Sequence, residues 1–190
     1  MAQVQEDKLN LGAKKFAMWI FVFVSFMLFA ALSSGFIVYS GGKGKGLNMT
    51  LPPAFLYSTL CIIASSVTMF LATKAAKQLQ FAKQRLFLWL TIGLGILFFA
   101  GQFYAFSQLI QMRVYFINNN ASQSFVYVFV AAHLLHVFAG LIILLNALIG
   151  SYKNIAQVKN LYRMDMSSIF WHFIDIIWIY LYVFLLLNQN

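Results

Sequence analysis

The chain has 190 residues, 62% hydrophobic and 9% charged, where an ordinary soluble domain carries about a quarter charged residues. That balance excludes a lone soluble core, because the apolar residues fall into separate runs, each near the roughly 20 residues that cross a bilayer. The net charge of +9 is spread over the connections between those runs rather than gathered in one stripe, which argues for loop charge and against a nucleic-acid partner.

Five runs are predicted to span, at residues 16–39, 51–73, 86–111, 124–149 and 168–187. The first follows Lys14 and Lys15, as a signal peptide would, but it is too long for a signal core and lacks a small-residue cleavage site, so it is read as a retained span. After it, Gly41 to Gly46 reads as flexible, and Pro52 and Pro53 suit a first helical turn, where a missing N–H costs least. The second run carries Ser65, Ser66, Thr68 and the lone Cys61; one cysteine makes neither a disulfide nor a cysteine metal site. KAAKQLQFAKQR, which suits a surface of anionic headgroups, leads to the third run with Gly93, Gly95, Gly101, Gln102 and Tyr104. Such hydroxyls and amides bond across membrane helices for about 0.6–2 kcal/mol each. RVYFINNNASQS precedes the fourth run, whose HLLHVFAG puts His133, His136 and Gly140 on one stripe. SYKNIAQVKNLYRMD, read as a connection, leads to the fifth run and its WHFIDIIW.

Lipid offers no partner to backbone polar groups, so each run is predicted to be a helix. The expected fold is an all-α, five-helix membrane bundle forming one domain over residues 1–190. Lys8, Lys14, Lys15, Lys74, Lys77, Lys83, Arg85, Lys153, Lys159 and Arg163 fall on one side of it, and Lys43, Lys45 and Arg113 on the other. The positive-inside rule then puts the N-terminus in the cytoplasm and the C-terminus outside.

Ionisable groups at membrane depth are the informative residues, since a central charge costs about 2.5–3.5 kcal/mol on insertion scales. They are His133, His136, His172 and Asp175, the last being the sole acidic residue within a run. Four readings stand open: two histidines as axial ligands of haem b, a metal set, a proton relay, or polar residues that hold the bundle together. Trp19, Trp89, Trp171 and Trp178 are read as lipid-facing packing or an interfacial belt. With no phosphate-binding glycine loop, nucleophile elbow or paired carboxylates, independent catalysis is not expected.

WHFIDIIW and HLLHVFAG, with MWIFVFVSFMLFAALSSGFIVY, ASSVT and LGILFFAGQFYAF in the first three runs, resemble subunit III of the haem–copper oxidases, the cytochrome c and quinol oxidases of respiratory chains. The resemblance covers residues 16–187 and points to the five-span form of bacterial and quinol-oxidase members. It implies a non-catalytic accessory subunit in a bacterial inner membrane, packed on oxidase subunit I, with other oxidase subunits and a respiratory supercomplex as further partners. It also implies bound phospholipids and support for proton uptake and complex stability. No catalytic, cofactor-binding or metal-ligating residue is expected on this chain, haem and copper being on partner subunits. His133, His136, His172, Asp175 and Gln102 are expected as interior polar anchors. The chain departs from the family's pattern at Phe106 and Leu134, where it commonly has tyrosine and a small residue, and at Ser25 and Ala105, which stand where it commonly has glutamates. A relay would then have Asp175 as its only carboxylate. The alternatives are a membrane cytochrome b and the subunit III-like protein that accompanies nitric oxide reductases.

Overall fold

The structure, a computed structural model, describes residues 2–43, 46–117, 119–153 and 157–189, with side chains from Leu11 onward except that of Lys43. Five helices follow in order: α1 (Ala2–Lys43), α2 (Pro53–Lys77), α3 (Phe81–Gln111), α4 (Ala121–Tyr152) and α5 (Gln157–Leu187). All five are long and apolar enough to cross a membrane, and there is no strand among the described residues. Pro53 opens α2 as expected.

Two expectations about connections are corrected. Gly41 and Gly42 belong to the last turn of α1 rather than to a flexible link; residues 44 and 45 lie outside the described residues. The stretch before the fifth run is largely helix, since α5 begins at Gln157 instead of 168. Apolar length stops at Asp165, but helical periodicity does not: Asn160, Met164, Ser167 and Trp171 are buried at spacings of three and four, while Lys159 and Arg163 face outward. Charges at a helix end reach the headgroup layer without ending the helix.

The packing is a cycle in which α2 adjoins α3, α3 adjoins α4, α4 adjoins α5 and α5 returns to α2; among the described residues α1 adjoins α4 and α5. Trp171 stands at the centre of the cycle. Its indole lies between Gly95 of α3 and Gly140 of α4, where an added Cβ would come within 2.8 and 3.1 Å of the ring. Its N–H donates to Ser65 of α2 at 3.1 Å. One α5 side chain thus joins three other helices, and only glycine admits it at two of the contacts. Gly101 likewise leaves room for Ser58. Trp171 and Trp178 are therefore core, correcting the lipid-facing reading for both, whereas Trp19 and Trp89 are 52% and 55% exposed.

The helix ends are closed by chain neighbours. Leu79 and Arg113 hold positive φ of 60° and 62° just past α2 and α3. The bonds Gln80 N–H to Ala75 O and Val114 N–H to Leu109 O complete a Schellman closure at each. Arg85 donates twice to the Ser151 carbonyl at the end of α4, at 3.2 and 2.6 Å, with its guanidinium 4.3 Å from the Tyr152 ring centre. At the opposite end, Leu47 is fully buried. Its N–H donates to Asn188 O, and its carbonyl accepts from Gln123.

Candidate functional site

The polar side chains of the interior form a ladder between α2 and α5. Trp178 donates to Thr59 Oγ1 at 3.0 Å, Trp171 to Ser65 Oγ at 3.1 Å, and Ser66 Oγ shares a 2.8 Å bond with His172 Nδ1. Thr68 extends it to Thr91 of α3 at 2.8 Å. Thr59 and Ser65 stand six residues apart on α2 and their partners Trp178 and Trp171 seven apart on α5, so these rungs recur about every two helical turns, with Ser66 and His172 forming the next rung one residue on. In lipid, where apolar surface gives no drive to associate, such bonds and close packing hold helices together.

A second link ties α1 to α4. His136 Nε2 lies 3.1 Å from Ser25 Oγ, and its Nδ1 lies 2.7 Å from the Ala132 carbonyl. Since that carbonyl only accepts, Nδ1 carries the proton and Nε2 accepts from Ser25. Ser25 is 5% exposed, and a second α1 hydroxyl, that of Tyr39, accepts from the Ala121 N–H at the start of α4 at 3.2 Å.

The remaining predicted anchors are enclosed without such bonds. Gln102 and His133 are fully buried and Asp175 is 2% exposed, and no side-chain nitrogen or oxygen of the three has a hydrogen-bond partner among the described residues. His133 is packed by rings: Phe98 edge-on at 5.7 Å, Trp178 tilted at 4.8 Å and Phe29 at 6.4 Å. The His172 Nδ1 to Asp175 Oδ2 separation is 4.0 Å, longer than a hydrogen bond.

That placement bears on the open chemical readings. A bis-histidine haem needs two imidazoles aimed at one iron. His172 aims at Ser66 on α2, whereas His133 packs on Trp178, about 9 Å further along α5 at the rise of a helix, with aromatic rings on its faces. The two do not converge. Among the described residues no three His, Cys, Asp or Glu side chains gather where a metal could bind.

One buried pair escaped the sequence reading. Gln84 of α3 and Asn160 of α5 exchange amide hydrogen bonds of 3.2 and 3.3 Å, both side chains being buried. The signal was Asn160 four residues before Met164 and seven before Ser167, a helical stripe within a segment taken for a loop.

Comparison with known proteins places these elements in a family. Residues 6–188 match the family described as cytochrome c oxidase subunit III. The chain is 27% identical over 175 residues to cytochrome c oxidase subunit 3 of Alkalihalophilus pseudofirmus, covering 90% of this chain and 85% of that one. It is 29% identical over 189 residues to cytochrome bo(3) ubiquinol oxidase subunit 3 of Buchnera aphidicola from Acyrthosiphon pisum, covering 96% and 90%. The corresponding ubiquinol oxidase subunit of Pseudomonas aeruginosa is 30% identical over 173 residues, covering 88% and 81%.

Proposed function

The chain belongs to the cytochrome c oxidase subunit III family, and on that premise we propose that it works as the accessory third subunit of a proton-pumping haem–copper oxidase in a bacterial plasma membrane. The observation that carries this is the family match across residues 6–188, which takes in all five apolar helices. The ladder from Thr59 to Thr68 and the Ser25–His136 link suit a structural part. They fix helices to one another, and among the described residues no three His, Cys, Asp or Glu side chains gather where a metal could bind. In this reading the chain packs on subunit I, with its N-terminus in the cytoplasm, and the exposed apolar faces of α1 and α3 meet lipid or neighbouring subunits. His133, His136, His172, Asp175 and Gln102 are its interior polar residues, all on one membrane domain. Oxygen reduction belongs to the assembled complex, and this chain supports its lifetime and proton uptake. Relatives include subunits of both cytochrome c and ubiquinol oxidases, so the reading leaves the donor to the other subunits.

The test is to purify the oxidase with and without this chain. Haem and copper content should be unchanged, while the number of turnovers before inactivation falls. Loss of haem from the stripped complex, or copurification of the chain with a nitric oxide reductase, overturns the reading.

A further inference from the structure

We propose that Ser66, His172 and Asp175 form a water-binding site inside the span, entered from a lysine-rimmed cavity past the His172 ring. The argument starts from hydrogen-bond capacity. An aspartate carboxyl group offers about four acceptor positions when ionised and keeps acceptor capacity when protonated. Both Asp175 oxygens are enclosed, and neither has a partner among the described residues. The Ser66 hydroxyl faces the carboxyl as a donor while bonded to His172 Nδ1 at 2.8 Å, and its single proton leaves the other acceptor positions of the carboxyl unfilled. That nitrogen, 4.0 Å from Asp175 Oδ2, serves one bond at a time.

A water molecule needs two to four polar partners. It finds here two carboxyl oxygens, a hydroxyl and an imidazole, and none of these alternatives requires a charged ligand. Gln102 and His133 are also without partners, but His133 is closed in by rings. The Asp175 cluster has an entry. His172 is 32% exposed at its side chain and lines a cavity of about 390 Å³ between α1, α2 and α5. The charged groups facing that cavity are Lys15 from α1, Lys74 and Lys77 from α2 and Asp165 from α5, with Lys77 and Asp165 4.0 Å apart. Below them Thr73 and Ser168 continue the polar lining toward His172. Counted from the start of the apolar run at 168, Asp175 sits about 10 Å deep, in the outer third of a bilayer core of roughly 30 Å.

Two measurements on the assembled complex test the site, and both report access rather than turnover, so they stand apart from the oxidase reading. In a Cys61→Ala background, Asp175→Cys and Ile174→Cys are treated with a small charged methanethiosulfonate, and labelling is read by the intact mass of this chain. Ile174 is the control because it packs on Gly140, away from α2. Labelling at 175 should be at least tenfold faster than at 174, and faster again with His172→Ala. In the unmutated complex grown with 13C-aspartate, the infrared carboxyl band that Asp175→Asn removes should shift within minutes of transfer to D2O. Equal labelling rates, or a band indifferent to D2O, overturns the proposal.

Discussion

Gly95→Ala should destabilise this chain in its native form and stabilise it once Trp171 is Phe. The new Cβ would stand 2.8 Å from Trp171 Cη2, 3.1 Å from Cζ2 and 3.0 Å from a Leu141 methyl, where carbon atoms settle at about 3.5–4.0 Å. The indole cannot yield, because Gly140 bounds its other face and Ser65 holds its N–H. Overpacking of this kind costs about 1–3 kcal/mol, offset by about 1 kcal/mol for removing a glycine from a helix interior. The net loss is then up to about 2 kcal/mol, or up to roughly thirtyfold in the folding equilibrium at 1.4 kcal/mol per factor of ten. Phenylalanine lacks Cζ2 and Cη2, so in Trp171→Phe both ring contacts disappear, the Leu141 methyl, at the end of a flexible side chain, gains room to move aside, and the helix gain remains. The four proteins of the double-mutant cycle are unfolded reversibly in mixed detergent micelles and followed by circular dichroism. Independent sites add within about 0.5 kcal/mol; Gly95→Ala costing the same in both backgrounds, within that margin, refutes the wedge.

Three further outcomes follow from particular side chains. His133→Leu, which removes two unpartnered ring nitrogens from an aromatic enclosure, should leave stability unchanged or raise it by about 1 kcal/mol; a fall of more than that in the same unfolding assay would show a bond now unseen. Gln84→Leu should cost about 1–3 kcal/mol by stranding the Asn160 amide, and adding Asn160→Leu should recover most of it, a sign pattern that a purely steric role does not produce. Leu79→Gly should raise stability by about 0.5–1 kcal/mol, since a left-handed backbone costs a side chain about 1–2 kcal/mol and Leu79 is 59% exposed, with little packing to lose; no gain would mean the leucine is held by a neighbour in the complex.

The five spans were legible because a bilayer imposes a length on apolar sequence, and no other signal in this chain is as strong. Their ends were not. The apolar count halts at Asp165, yet α5 runs on to Gln157, since helical hydrogen bonding continues into the headgroup layer. Ser65, Ser66 and Thr68 were recognisable as bridging groups because few atoms in lipid compete for a hydroxyl, and each does bond across to another helix. Trp171 and Trp178 were misplaced for a related reason. In a chain so rich in aromatics, composition cannot separate a ring facing lipid from one facing protein; the deciding contacts lie on other helices, Gly95 and Gly140 for Trp171 and Phe98, His133 and Thr59 for Trp178. Gln102, His133 and Asp175 are buried; that their polar atoms stand without hydrogen-bond partners among the described residues is a matter of three-dimensional reach, which spacing along one helix does not encode.

The attachment of α1 sets a timetable. Among the described residues its helix partners are α4 and α5, and its Ser25 hydroxyl meets a histidine 111 residues later in the chain. At synthesis rates of about 5–20 residues per second, α1 waits roughly 5–20 s for that neighbour. During that interval whatever will face the bundle faces lipid. A serine can spend the wait bonded to its own helix, as Ser33 does to the Phe29 carbonyl at 2.8 Å, whereas a carboxyl group in the same place would have needed a proton or a chaperoning partner from the moment of insertion. Ser25 thus makes α1 a helix that tolerates arriving early.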